Sequence, residues 1–111
     1  MKAPTDIADM LGNILVAIER IETHVRSSES PAAIEDAVIF NLIVVGEAAS
    51  KLKKGFRDKH ENIPWQDMIG MRNQLVHAYF IIDPNTVWDT VHNDLPVLKE
   101  KIVDILKHLE K

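Results

Sequence analysis

The stretch Gly70-Met71-Arg72-Asn73-Gln74-Leu75-Val76-His77-Ala78-Tyr79-Phe80 gathers four side chains equipped for chemistry: Arg72, Asn73, His77 and Tyr79. An imidazole, with a reference pKa of about 6.5, exchanges protons near neutral pH. A guanidinium is permanently charged, and its planar fork of donors matches the oxygens of a phosphate. Together they supply the parts for moving a proton beside a stabilised negative charge.

On one regular helix, at 100° per residue, Arg72 and Tyr79 fall about 20° apart and share a face. Asn73 and His77 are four apart and stack on a neighbouring face. Arg72 and His77 come out about 140° apart, so they flank a groove rather than touch. Convergence then requires either a helix end between them or a two-fold partner bringing a second copy. A dimer with the site at its interface is the expectation. The residues also admit a plainer account, with Arg72 paired to a carboxylate of the fold and Tyr79 a core aromatic whose hydroxyl is satisfied. Isolated polar clusters are usually structural, and residue type and spacing leave both accounts open.

The remaining histidines, His24, His60, His92 and His108, have no HExxH or similar paired spacing, which gives a histidine metal site little support. There is no Gly-rich phosphate loop and no serine nucleophile motif. Cysteine is absent, which excludes disulfides and thiolate zinc sites. Neither metal nor cofactor is expected.

Four amphipathic segments must position the cluster. Ile7, Met10, Leu11, Ile14, Leu15, Ile18, Ile21 and Val25 recur at intervals of three and four, with Thr5 or Asp6 as cap. Ser30-Pro31 starts a second helix, striped by Ile34, Ala37, Val38, Asn41, Leu42, Val45, Ala48, Ala49 and Leu52, with Gly55 as its expected C-terminal cap. Gly46, inside that helix, costs about 1 kcal/mol relative to alanine and so suggests close approach of another backbone. Asn62-Ile63-Pro64-Trp65 opens the third, continued by Met68, Ile69, Arg72, Leu75, Val76 and Tyr79. Asp83-Pro84 opens the fourth, striped by Val87, Val91, Leu95, Leu98, Ile102, Ile105, Leu106 and Leu109, with a kink or break expected at Pro96. The chain reads as one all-α domain, 1–111, an antiparallel bundle of four helices, five at most.

With 111 residues, 46% apolar and 27% charged, the composition suits one soluble core. No apolar run nears the roughly 20 residues of a membrane span, and Met1 to Asp6 lacks a signal-peptide core, so a cytoplasmic location is expected. The net charge of −4 argues against strong non-specific attraction to nucleic acid. Lys51, Lys53, Lys54, Arg57 and Lys59 against Asp58 nevertheless give positions 51–60 a net +4, leaving −8 elsewhere. Lys51, Lys53, Lys54 and Arg57 are candidate nucleic-acid contacts, or else cations favoured by a helix C-terminus.

Arg72, four residues, His77, one residue and Tyr79 resemble the R-x4-H-x-Y motif of HEPN-domain proteins, specifically the HepT-like toxins. Gly46-Glu47-Ala48, Ile63-Pro64-Trp65, Arg72-Asn73, Leu75, Tyr79-Phe80 and Val87-Trp88-Asp89 extend the resemblance over nearly the whole chain. It implies a dimeric HEPN-like helical bundle, possible in higher oligomers, acting as a metal-independent endoribonuclease toxin. The implied partner is a minimal nucleotidyltransferase antitoxin that attaches AMP to Tyr79. Arg72 and His77 carry over as the catalytic pair, with Asn73 and Glu47 in support. The chemistry suits these residues: His77 would take the proton of an RNA 2′-hydroxyl as it attacks the adjacent phosphorus, and Arg72 would stabilise the developing charge. Two alternatives remain at this level, a non-catalytic nucleotide- or RNA-binding module serving a nucleotidyltransferase, and a purely structural bundle.

Overall fold

The computed structural model describes residues 6–109. Six α-helices follow in order: α1 (Ile7–Val25), α2 (Pro31–Lys51), α3 (Lys54–Lys59), α4 (Trp65–His77), α5 (Pro84–Asp89) and α6 (Leu95–Leu109). Among the described residues there is no strand. A π-helical turn, Thr90–Asp94, joins α5 to α6 without a break, so the chain forms five helical rods, the upper bound set by its sequence.

The starts are where the cap residues put them. The Asp6 carboxylate accepts from the Ala8 N–H at the head of α1, and the Ser30 hydroxyl accepts from the Ala33 N–H at the head of α2. Thr5, the other candidate cap of α1, lies outside the described residues. Asp83 caps α5 through the Asn85 N–H, with Pro84 in the first turn. The predicted stripes form the core: Met10, Leu11, Ile14, Ile18 and Ile21 of α1 meet Val38, Leu42, Val45 and Ala49 of α2, with Leu98, Ile102 and Ile105 of α6. α2 is the central element, packed on α1 along one side and on α4 along another. α6 closes over α1, and the Lys99 ammonium meets the Glu22 carboxylate at 2.9 Å across that contact.

Three expectations need correction or refinement. α2 ends at Lys51, where Leu52 turns extended and carries its side chain into the core. Burying that leucine is worth about 1.5–3 kcal/mol, more than a glycine cap offers. Gly55 therefore lies inside α3, a helix set by Phe56 packing on Trp65, and no described glycine has positive φ. Secondly, the kink or break expected at Pro96 takes the form of the π-helical turn Thr90–Asp94 just before it, and the helix continues beyond. The Leu95 N–H bonds back five residues to the Thr90 carbonyl, and this wide turn absorbs the register that proline disturbs. Thirdly, α4 stops at His77, two residues short of Tyr79. Ala78 leaves helical geometry at φ −136°, and Tyr79–Ile81 form a single 3-10 turn. Phe80, Ile81 and Ile82 are weak helix formers, and the chain must reverse before Pro84 opens α5.

Candidate active site

α4 carries the cluster and is seated at both ends of its first three turns. Trp65 is buried, and its indole N–H donates to the His60 carbonyl at 3.0 Å, which fixes the start of the helix. Further along, α4 crosses α2 at Gly46. A Cβ at Gly46 would clash with the Arg72 Cβ and lie 2.6 Å from the Met68 carbonyl oxygen. The close approach suggested by a glycine in mid-helix is therefore real, it lies within the chain, and the residue it admits is Arg72.

That crossing also aligns Arg72 with Glu47, the next residue of α2. One terminal guanidinium nitrogen donates to Glu47 Oε2 at 3.1 Å and the other to Asn73 Oδ1 at 2.9 Å. The Arg72 Nε–H is buried and has no acceptor. Of the five N–H bonds of a guanidinium, one then serves Glu47, one serves Asn73 and one is sealed, which leaves two for a ligand. The Arg72 side chain keeps 28% of its exposure and that of Glu47 44%, so the pair contributes no more than about 1 kcal/mol to stability. Its effect is orientation: Glu47 and Asn73 fix the plane of the fork.

His77 is in the last turn of α4, exposed, with no hydrogen bond or ion pair among the described residues. The helix is unbroken from Arg72 to His77, so a helix end cannot bring the two together. They remain five positions apart, about 140° around the axis and about 7.5 Å along it. Tyr79 is 43% exposed on the 3-10 turn beyond. The face it was expected to share with Arg72 does not exist, because the helix has already stopped.

Of the basic residues of 51–60, Lys51, Lys54 and Arg57 are divided between two hollows. Lys51 closes α2 and lines a groove of about 440 Å³ between α1 and α2, together with Glu47. Lys53 and Lys54 begin the α3 region, and Lys54 is paired to Asp58 at 2.8 Å. Lys54 and Arg57 line a different hollow, beside Asp58, Glu61 and Asp67. Two polar side chains that the sequence reading passed over, Asn13 and Arg20, line the α1–α2 groove. Their seven-residue spacing on one helix was the available signal, since it places both on one face. No group of three or more His, Asp or Glu side chains is placed to hold a metal ion among the described residues.

An all-helical fold that presents Arg-x4-His on one exposed helix, with an acidic residue orienting the arginine, defines a HEPN-type domain. The sequence comparisons agree: the model of the Ribonuclease HepT-like family matches residues 14–105. The chain belongs to the HepT-like family. It is 38% identical to "Probable ribonuclease HepT" of Thermococcus cleftensis, covering 89% of this chain and 94% of that protein. It is 36% identical to "Putative RNase MJ1216" of Methanocaldococcus jannaschii, covering 95% of this chain and 91% of that protein. It is also 35% identical to "Gamma-glutamylcyclotransferase and putative RNase MJ0434" of the same organism, over 96% of this chain but only 50% of that protein. The chain thus spans half the length of that relative. No solved structure matches it.

Proposed function

We propose that this protein is an endoribonuclease toxin that cleaves RNA without a metal ion, with Arg72 and His77 as its catalytic pair, and that a minimal nucleotidyltransferase antitoxin neutralises it. The observation that carries the proposal is the Arg72 fork, oriented by Glu47 and Asn73 with two donors left over, on the same helix as an exposed histidine. His77 removes the 2′-hydroxyl proton, the oxygen attacks the neighbouring phosphorus to give a 2′,3′-cyclic phosphate, and the 5′-oxygen leaves as a hydroxyl with a proton taken from water. Arg72 stabilises the charge that builds on the phosphate oxygens. The decisive measurement is cleavage of RNA in EDTA by the native protein and by His77→Ala.

The proposal includes a homodimer, because one straight helix separates the two groups by about 140°. α2 supports this. It is apolar nearly all round, and its outward side shows Phe40, 60% exposed, with Ile43 and Val44 half-buried beside Glu47. A helix of that kind is ordinarily covered on both sides. In the proposed dimer this face meets its two-fold mate, and Arg72 of one protomer works with His77 of the partner subunit. Phe40→Glu is expected to give a monomer in sedimentation at micromolar concentration and to lose most RNA cleavage. A monomeric native protein that is fully active would overturn the dimeric site.

Tyr79, exposed two residues beyond His77, is the proposed AMP acceptor. Adenylation there adds a phosphate charge and a bulky nucleoside close to the imidazole, excluding the RNA backbone by occlusion and repulsion. Tyr79→Phe is expected to cleave RNA at close to the native rate while escaping the antitoxin. Equal protection of this variant by antitoxin and ATP would refute the assignment.

A further inference from the structure

Beyond His77 the chain exposes its barest aromatic surface. Phe80 is 95% exposed and Ile81 84%, both on the turn Tyr79–Ile81. A scattered surface leucine needs no explanation, but a phenyl ring left almost wholly in water beside a second bare apolar residue does. Three residues of chain reach at most about 11 Å, so the Phe80 backbone lies within that distance of His77. The Tyr79 and Phe80 rings meet edge to face, with centroids 5.4 Å apart and planes at 86°. That contact steadies Phe80 and leaves its ring open to solvent.

Charge supplies an independent reason to ask what the ring does. The chain carries −4 overall, Lys54 is engaged by Asp58, and three of the Arg72 N–H bonds are already taken or sealed. The net negative charge limits phosphate attraction, the usual source of affinity for nucleic acid. Stacking of unpaired bases on aromatic rings does not depend on net charge and tolerates any base.

We propose that Phe80 is a stacking platform for an unpaired nucleobase next to the scissile phosphodiester. This rests on the ribonuclease reading and adds a substrate class to it: single-stranded RNA, since a paired base has no free face to offer. Sequence preference is then mild and follows stacking strength, with purines favoured.

The test uses a fluorescein-labelled single-stranded oligoribonucleotide, bound to protein carrying His77→Ala and cleaved by protein with His77 intact. Phe80→Ala is expected to raise both Kd and KM by about 5- to 150-fold, with kcat little changed and the sedimentation coefficient unaltered. Phe80→Trp is expected to restore binding, and Phe80→Leu, apolar but without a π face, is not. Native affinity in Phe80→Ala overturns the proposal. So does full rescue by Phe80→Leu, and so does loss of the dimer in Phe80→Ala, either of which would mark the turn as a protein contact. The ribonuclease reading fails separately, if the native protein leaves the oligonucleotide intact while the Phe80 series still ranks its affinities in the expected order.

Discussion

Replacing His77 with alanine is expected to slow RNA cleavage in EDTA by about 100- to 10,000-fold, the usual contribution of a positioned acid–base group. The fold should not notice. His77 is exposed and makes no hydrogen bond among the described residues, so its loss belongs with surface substitutions that change stability by about 0.5 kcal/mol or less. Arg72→Lys is the matching test of the cation. It keeps the charge but loses the planar fork that binds Glu47, Asn73 and a phosphate at once, so a loss of about 100- to 1,000-fold is expected. A mixture of Arg72→Ala and His77→Ala protein goes further. If each site takes Arg72 from one protomer and the partner's His77, random reassortment restores about a quarter of native activity, since half the dimers are mixed and each regains one of two sites. Two inactive variants that stay inactive after mixing would place both groups of a site on one protomer. A rate in EDTA unaffected by His77→Ala would end the ribonuclease proposal itself.

Most of the scaffold was legible because apolar spacing and caps agree along the chain. Ser30-Pro31 and Asp83-Pro84 start helices where a hydroxyl or carboxylate plus proline should, and the stripe residues of α1, α2 and α6 are buried or half-buried, Leu109 excepted. What misled was punctuation decided by packing. Gly55 looked like a helix end, yet Leu52 ended α2 earlier by entering the core, and Phe56 against Trp65 made a further short helix. At Pro96 the expected kink or break takes the form of the π-helical turn just upstream. At the site, residue types were readable and their mutual placement was not. Periodicity assumed that α4 continues through Tyr79, whereas the helix stops at His77 and moves the tyrosine off the Arg72 face. The exposure of Phe80 was invisible for the same reason, since a helical pattern assigns it a side but not a turn in which to stand clear.

Gly46→Val tests whether the seat of Arg72 is as tight as the geometry implies. A side chain at Gly46 would clash with the Arg72 Cβ and press on the Met68 carbonyl, and neither is the free end of a flexible chain. α2 and α4 would have to separate, at a cost of about 1–3 kcal/mol for an overpacked contact. In a domain this small that lowers Tm by about 5–20 °C. Gly70→Ala is the control, because a Cβ there meets nothing within 4 Å and alanine is the better helix former. It should leave Tm unchanged or raise it. The two glycines therefore separate what helix propensity alone would predict, a gain at both, from what close packing predicts, a loss at one. Cleavage measured well below Tm adds the functional half: Gly46→Val moves Arg72 away from Glu47, and an error of about 1 Å in a positioning contact costs on the order of 100-fold in rate. Native stability and native activity in Gly46→Val would mean that α4 is free to shift on α2, and that the arginine is aimed by something other than this crossing.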